Sequence, residues 1–399
     1  MTLRVLQVHN RYRARGGEDV VIDQEREALR AAGVFVERLE VANEDGMASV
    51  VSASVAPFWS RKAFRLARAA ARQHRADVVH VHNTHAQLGP AAFFGARAAG
   101  AAVVWTAHNF RAVCSNALLL RNGGPCERCL GGNHLHAVRY ACYKNSRAAS
   151  AVMASSLFVH QRLRTIERGV DRILCVSAFV RDVLVRGGID PEKLIVKPNV
   201  VEDLSPLVPA NIERDNTFVF VGRLAPEKGV RELIEAWRGA APDGWTLRII
   251  GDGPERSTLE AATRDLPSVR FDGWLDRPGV AEAMARARFL VAPSLWYETY
   301  ALGVTEAQSL GTPAIVPAHG PFLERVRHGE SGLLFRPGDL GPLRQVLSLA
   351  VSGKMRERWT ELSRKARATY ENTGSTSAGG SALLAAYRSA REAICRSAL

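Results

Sequence analysis

The sequence predicts an α/β protein built from two doubly wound parallel sheets. Three observations predict it. Short β-branched apolar runs alternate with helical patterns, the signature of βαβ units. The alternation occurs twice, each time over about the length of one doubly wound domain. Between the two runs lies Pro198–Asn216, rich in Pro, Asn and Asp and poor in apolar periodicity.

The elements follow in order. Strands are expected at Arg4–Val8, Val34–Leu39, Val78–His82, Val103–Ala107 and Ile173–Val176. A second set is expected at Phe218–Val221, Thr246–Ile250, Val269–Phe271, Phe289–Ala292 and Pro313–Pro317. Helical patterns fall between them at Glu18–Ala32, Arg61–His74, Val230–Ala240 and Pro254–Arg264. Gly374–Ser381 reads as a Gly/Ser/Thr stretch ahead of a last helix at Ala382–Arg396. The expected division is therefore 1–198, 199–378 and a C-terminal helix over 379–399 that can return to the first domain.

Composition limits the class. The chain has 399 residues, 47% hydrophobic and 23% charged, which is globular composition. No window approaches the ~18 apolar residues that span a bilayer; the longest, Ala148–Val159, is broken by Ser150, Ser155 and Ser156. Met1–Leu6 runs straight into a strand with no leader pattern, so a cytoplasmic protein is expected, soluble or peripheral at the inner face of a membrane. The net charge is +13, and it is uneven. Residues 1–200 hold 28 Lys and Arg against 16 Asp and Glu, whereas residues 201–399 hold 25 against 24. Genome bias explains the excess of Arg over Lys but not this asymmetry, which points to an anionic surface or substrate at the first half.

Ligands of open α/β sheets bind beyond the carboxyl ends of the strands, so the loops after strands carry the chemistry. Gly16-Gly17 opens a helix, where free N–H groups and the helix dipole suit an anion; a plain turn is the equal alternative. Gly251-Asp-Gly253-Pro254 has the same ambiguity. Gly222-Arg223-Leu-Ala-Pro-Glu-Lys228-Gly229 leaves a buried strand with two cations five positions apart. They can converge on one diphosphate, or be ordinary surface cations. The strongest signal is Pro293–Pro313, where Glu298 is expected to open a helix and Glu306 to follow two turns later on the same face. Carboxylates in an apolar helix need hydroxyl or cation partners. With N–H groups at the helix start, the pattern suits a nucleoside diphosphate carrying a sugar. No phosphate-loop motif of nucleoside triphosphatases occurs.

This ordered set, Gly222-Arg223…Glu227-Lys228-Gly229, Gly251-Asp-Gly-Pro254, Glu298-x7-Glu306 and Gly311-Thr-Pro313, resembles the C-terminal half of retaining family 4 glycosyltransferases of the GT-B fold. The first half is also similar, through Gly16-Gly17, Asp77-Val-Val-His80-Val-His82-Asn83 and Thr106-Ala-His108-Asn109-Phe110-Arg111. The resemblance implies two Rossmann-like domains around a cleft, with the acceptor side first and the nucleotide-sugar side second. It implies transfer of a hexosyl unit from GDP-mannose or a UDP-sugar to a glycan or polyprenyl-diphosphate-linked acceptor in cell-surface polysaccharide synthesis. Arg223 and Lys228 would bind the diphosphate and stabilise the leaving group, with Gly222 and Gly253 lining the donor. Glu306 would hold the ribose hydroxyls. Glu298 would contact the transferred sugar beside the N–H groups of Thr299, Tyr300, Ala301 and Leu302. Gly16 and Gly17 would let the diphosphate and the acceptor approach the first domain, and His108 would line the sugar pocket, contacting sugar or acceptor. Catalysis by cations and N–H groups needs no metal, and front-face transfer needs no protein base. Tyr300 stands where many relatives have Phe, which bears on the donor sugar.

Cys114, Cys126, Cys129 and Cys142 are spaced x11, x2 and x12 in an insertion over about 112–146. They read as a structural zinc site, with buried thiols or a redox Cys-x-x-Cys as alternatives. His134 and His136 are substitute ligands or loop surface, and Cys175 and Cys395 are bystanders. Phe58-Trp59 and the Arg-rich run to Arg75 read either as a domain helix with a solvated basic face or as an interfacial helix on an anionic membrane. Three other classes share some features. A sugar-nucleotide epimerase has the fold class but not the Glu298-x7-Glu306 pattern, and a phosphorylase needs a longer chain. A nucleic-acid-binding protein would use the charge, but no nucleic-acid motif is present. A non-catalytic nucleotide-sugar binder would not need the complete donor set.

Overall fold

The computed structural model describes residues 2–397 apart from 12–15, 43–55, 86 and 241–242; the Cys395 side chain is outside the described set. Two compact units result. One comprises Met1–Leu119, Cys126–Val200 and Gly379–Leu399, the other Leu120–Pro125 and Val201–Ala378.

The first unit is built on strands β1 (Arg4–Arg11), β2 (Phe35–Ala42), β3 (Val78–Asn83) and β4 (Ala102–Ala107). The short hairpin β5 (Leu120–Arg121) and β6 (Gly124–Pro125) falls among the residues of the second unit, and the first continues with β7 (Arg172–Cys175) and β8 (Leu194–Val196). The six-stranded sheet runs β2-β1-β3-β4-β7-β8, all parallel. β3 and β4 are buried along their whole length, as central strands covered on both faces must be. Helix Gly17–Ala31 returns the chain from β1 to β2, burying Val21, Ile22, Ala28 and Leu29. The C-terminal helix Thr376–Ser397 places Leu383, Ala386, Tyr387 and Ala390 in a core with Val5, Leu29, Val78 and Val104.

The second unit repeats the plan with β9 (Asp215–Val221), β10 (Thr246–Ile250), β11 (Val269–Gly273), β12 (Ala287–Val291), β13 (Ala314–Pro317) and β14 (Gly332–Phe335). Its order is β11-β10-β9-β12-β13-β14, again parallel. One face is filled by Phe218, Trp237, Trp245 and Phe289, the other by Met284, Leu290, Val304 and Phe322.

The sequence pattern missed β8 and β14. Both are short edge strands, of three and four residues. The last helix starts earlier than expected, at Thr376, and runs through Gly379 and Gly380. A Cβ on Gly379 would lie 2.6 Å from Val200 Cγ2, so the glycine permits close packing rather than flexibility. Helix Arg61–Gln73 buries the alanine stripe Ala63, Ala67 and Ala71 against the protein. Its neighbour helix Ala91–Arg97 comes so near that a Cβ on Gly95 would meet the Phe64 carbonyl at 2.2 Å.

Candidate functional site

In the second unit, three loops at the carboxyl ends of adjacent strands are laced by backbone contacts. The loop after β9 turns through Pro226–Lys228 and ends at Gly229, whose φ of +70° favours glycine. A Cβ there would sit 2.3 Å from the Pro293 carbonyl, while Leu295 N donates to Glu227 O at 2.9 Å. The loop after β10 is equally close: a Cβ on Gly251 would be 1.9 Å from Gly222 O, and one on Gly253 2.3 Å from Leu224 O. These glycines serve loop packing, whatever they offer a ligand.

The lacing brings Lys228 Nζ to Glu298 Oε1 at 2.7 Å. The Ser294 hydroxyl (2.9 Å) and Trp296 Nε1 (3.1 Å) donate to the same oxygen, and Lys228 lies over the Trp296 ring. Burial pushes Glu298 up, but Lys228, Ser294 and Trp296 outweigh it and hold the carboxyl below its ordinary value. Arg223 is exposed beside this group in sequence, with no ion-pair partner among the described residues.

One expectation is corrected. Glu298 does not open a helix, and it shares no helical face with Glu306. The helix is only Leu302–Ser309, because Ala301 takes a left-handed conformation (φ +67°) ahead of it. Thr299 and Tyr300 precede the helix as irregular chain, so of the four expected N–H donors only Leu302 lies within it. Glu306 lies within the helix, where burial raises its carboxyl against the opposing pull of Arg277. The Tyr300 side chain is buried, with the Arg325 guanidinium 4.0 Å from its ring centroid.

In the first unit, Gly16 caps helix Gly17–Ala31, and its N–H donates to Asp19 Oδ2 at 2.8 Å. Asp19 also meets His9 Nε2 at 2.9 Å. A cavity of about 470 Å³ is lined by Asn83, His85, Trp105, His108, Arg111 and His160, among others. Arg111 Nε and Nη1 are buried without a hydrogen-bond partner. His108 is half-buried; burial, Lys197 and His9 push it down to about 3, so the ring is neutral near pH 7.

Sequence reasoning did not single out the polar cluster behind this cavity. Glu25, His80 and Lys197 are fully buried, and His82 nearly so. Lys197 Nζ pairs with Glu25 Oε1. His80 Nδ1 meets Tyr387 OH at 2.8 Å, and His80 Nε2 meets Thr106 Oγ1 at 2.7 Å. Burial, with Lys197 and His108, holds His80 well below its ordinary value; burial, with His80 and His108, does the same for His82. Glu25, His80 and His82 place their ligand atoms within 4.8 Å of one another and could hold a metal ion. The available signal was the His-x-His alternation, which puts both rings on one face of β3.

The four cysteines are free thiols or thiolates, not disulfides. Cys129 packs with Cys142, Ala137 and Ala154. Burial, with the charges of Cys114, Cys142 and Cys126, pushes Cys129 up to about 12. Backbone N–H groups of Leu119, Asn116, Ala117 and Leu118 oppose the upward push of burial on Cys114. Among the described residues these sulfurs are not grouped within the 4.8 Å that unites Glu25, His80 and His82. His134 is buried and bonded to Gln161 at 2.9 Å.

Residues 1–200 match the glycosyl transferase 4-like domain, and residues 215–352 match glycosyl transferases group 1. The chain belongs to glycosyltransferase family 4. Its relatives include the phosphatidyl-myo-inositol mannosyltransferase of Mycobacterium leprae, 31% identical over 39% of this chain and 42% of that one. The lipopolysaccharide 1,6-galactosyltransferase of Escherichia coli is 26% identical over 46% of this chain and 54% of that one. The exopolysaccharide phosphotransferase of Streptomyces coelicolor is 39% identical over 33% of this chain and 14% of that one. The matched region is thus about half, or less, of each relative's length. The fold matches whole GT-B structures: Anabaena HepE in complex with UDP and glucose (TM-score 0.65, 16% identity, 100% of both chains) and the galactosyltransferase WaaB (TM-score 0.66, 17% identity, 99% and 100%).

Proposed function

We propose that this family 4 member is a retaining hexosyltransferase. It takes its sugar from a nucleotide-diphospho-sugar and passes it to a glycan or lipid-linked acceptor of the cell surface. The observation that carries this reading is the Lys228–Glu298 pair, held by Ser294 and Trp296 on laced loops, the first of which also carries Arg223. In this reading Arg223 and Lys228 neutralise charge growing on the departing diphosphate, and Glu298 orients the transferred sugar. Glu306 takes the ribose hydroxyls, which offset the cost of burying it. The first unit supplies the acceptor side. Its cavity, with two unpartnered guanidinium nitrogens of Arg111, suits a sugar carried on a phosphate. HepE, solved with UDP and glucose, supports a UDP-sugar, while a GDP-mannose-dependent alpha-mannosyltransferase of Mycolicibacterium smegmatis, 37% identical over 35% of this chain, supports GDP-mannose. A screen of nucleotide-sugars by UDP or GDP release, with polyprenyl-diphosphate-linked acceptors present, tests the reading. Failure of every donor, together with no UDP or GDP binding, would refute it.

The cysteines add a structural proposal. Zn²⁺ bound by Cys114, Cys126, Cys129 and Cys142 would have to draw these sulfurs together; it would offset the burial and the neighbouring sulfurs that disfavour the Cys129 thiolate, and the N–H groups around Cys114 suit a metal-bound thiolate. Gly131 and Gly132 of the same segment line the cavity, so the metal would brace one of its walls. Among the described residues no helix is long and apolar enough to cross a membrane. The exposed Trp59 and the basic face of Arg61–Gln73 support contact with an anionic bilayer.

A further inference from the structure

Glu25 and His82 stand in line behind His108, the residue expected to line the sugar pocket. Glu25 comes from helix Gly17–Ala31, His82 from β3, and His108 from the residue after β4. Lys197 occupies Glu25 Oε1. The other oxygen, Oε2, is buried without a hydrogen-bond partner, and so is His82 Nε2; the two face each other at 3.7 Å. On its far side His82 Nδ1 meets His108 Nε2 at 3.0 Å, with the rings stacked 5.3 Å apart. His108 then reaches the cavity wall.

The direction of each proton follows from the end of the line. A carboxylate accepts and does not donate. A bare His82 Nε2 would set its lone pair against that of Glu25, so the ring proton belongs on Nε2. His82 Nδ1 is then an acceptor, and His108 Nε2 must donate to it. That leaves the lone pair of His108 on Nδ1. At 3.7 Å the two atoms do not hydrogen-bond, so the preference is electrostatic: a buried carboxylate oxygen favours a facing N–H over a facing lone pair.

We propose that Glu25 and His82 are positioning residues that fix the His108 tautomer, so that His108 Nδ1 accepts a hydrogen bond from a hydroxyl of the sugar held in this cavity. This rests on the transferase reading. The ring holds the hydroxyl and takes no proton from it. A metal ion on Glu25, His80 and His82 is the competing occupant, and Lys197 opposes it, since its ammonium already neutralises the carboxylate in a site closed to water.

The test is ¹⁵N NMR of the full chain labelled at histidine, with the His108 signals assigned by H108N. The expected wild-type spectrum has His108 protonated at Nε2 and bare at Nδ1. In E25Q/K197M, which keeps the buried charge balanced, the amide can donate to His82 and the His108 tautomer is expected to shift. With the donor that wild type turns over, kcat is expected to fall at least about tenfold while donor KM stays within twofold. H82Q is the second variant if the double variant does not fold, with the same expected loss. A wild-type His108 protonated at Nδ1 overturns the proposal. So does an unchanged tautomer in both variants, or a stoichiometric divalent ion that is lost in H80N. Loss of UDP and GDP binding by wild type would instead strike the transferase reading, which the tautomer measurement leaves separate.

Discussion

Replacing Lys228 by Met should have two separable effects. The ammonium lies 2.7 Å from Glu298, with side chains 24% and 16% exposed. Ser294 and Trp296 still donate to the carboxylate after the change, so Glu298 is not fully stranded. The loss is then that of one charge-assisted hydrogen bond, ~2 kcal/mol, below the 3–5 kcal/mol of a wholly broken buried pair. For a unit of this size that lowers Tm by about 4–8 °C. Adding Glu298→Gln should return part of it, because the buried charge is gone. If Lys228 also grips the donor diphosphate, K228M should weaken UDP or GDP binding by about 10- to 100-fold, from ~1.5–3 kcal/mol of lost contact. Calorimetric titration measures the second effect and differential scanning calorimetry the first. Unchanged nucleotide affinity in K228M, with the expected fall in Tm, would refute the donor role and leave Lys228 a structural partner of Glu298.

Four further outcomes are expected. Gly229→Ala should destabilise by ~2 kcal/mol or more, since alanine would carry both a left-handed φ and a 2.3 Å clash with the Pro293 carbonyl; urea unfolding measures it. Tyr387→Phe removes the hydroxyl 2.8 Å from His80 Nδ1 and should cost ~1–3 kcal/mol, whereas Arg388→Ala should cost little. Glu18 is pushed up to about 8 by burial and Asp19, against Arg111. Between pH 4.5 and 8 the unfolded chain has lost this proton and the folded one keeps it, so stability falls as pH rises through that window. Glu18→Gln should flatten the fall, and a Tm profile equally steep in the variant contradicts it. Purified protein should carry one zinc per chain, lost in Cys129→Ser; metal-free protein that folds with an unchanged Tm rules the site out.

Much of the fold was legible because it rests on local pattern. The apolar runs at β1, β3, β4, β9 and β10 lie at interior positions of the two sheets, and they stand out even though Gln7, His80, His82 and Arg248 interrupt them. The edge strands β8 and β14 did not register. The last helix was started late at Ala382 because Gly379 and Gly380 argue against helix by propensity. Packing against Val200 reversed that preference.

The candidate site divides the same way. Its residues Arg223, Lys228, Glu298 and Glu306 were found from spacing after strands, since a βαβ sheet puts those loops at one end. Their geometry was not. The left-handed Ala301 shortens the helix and sends Glu298 to Lys228 instead of onto a face with Glu306, which no helical period reveals. Glu25 and Lys197 lie 172 positions apart, and Tyr387 lies 307 from His80. By itself the sequence determined two parallel-sheet units, the family, and the basic character of the first half. Only the tertiary structure decided which buried charges meet, because local pattern reports which residues are buried and not what they are buried against. Desolvation makes that distinction costly: each such group needs its particular partner, and the fold brings it from far along the chain.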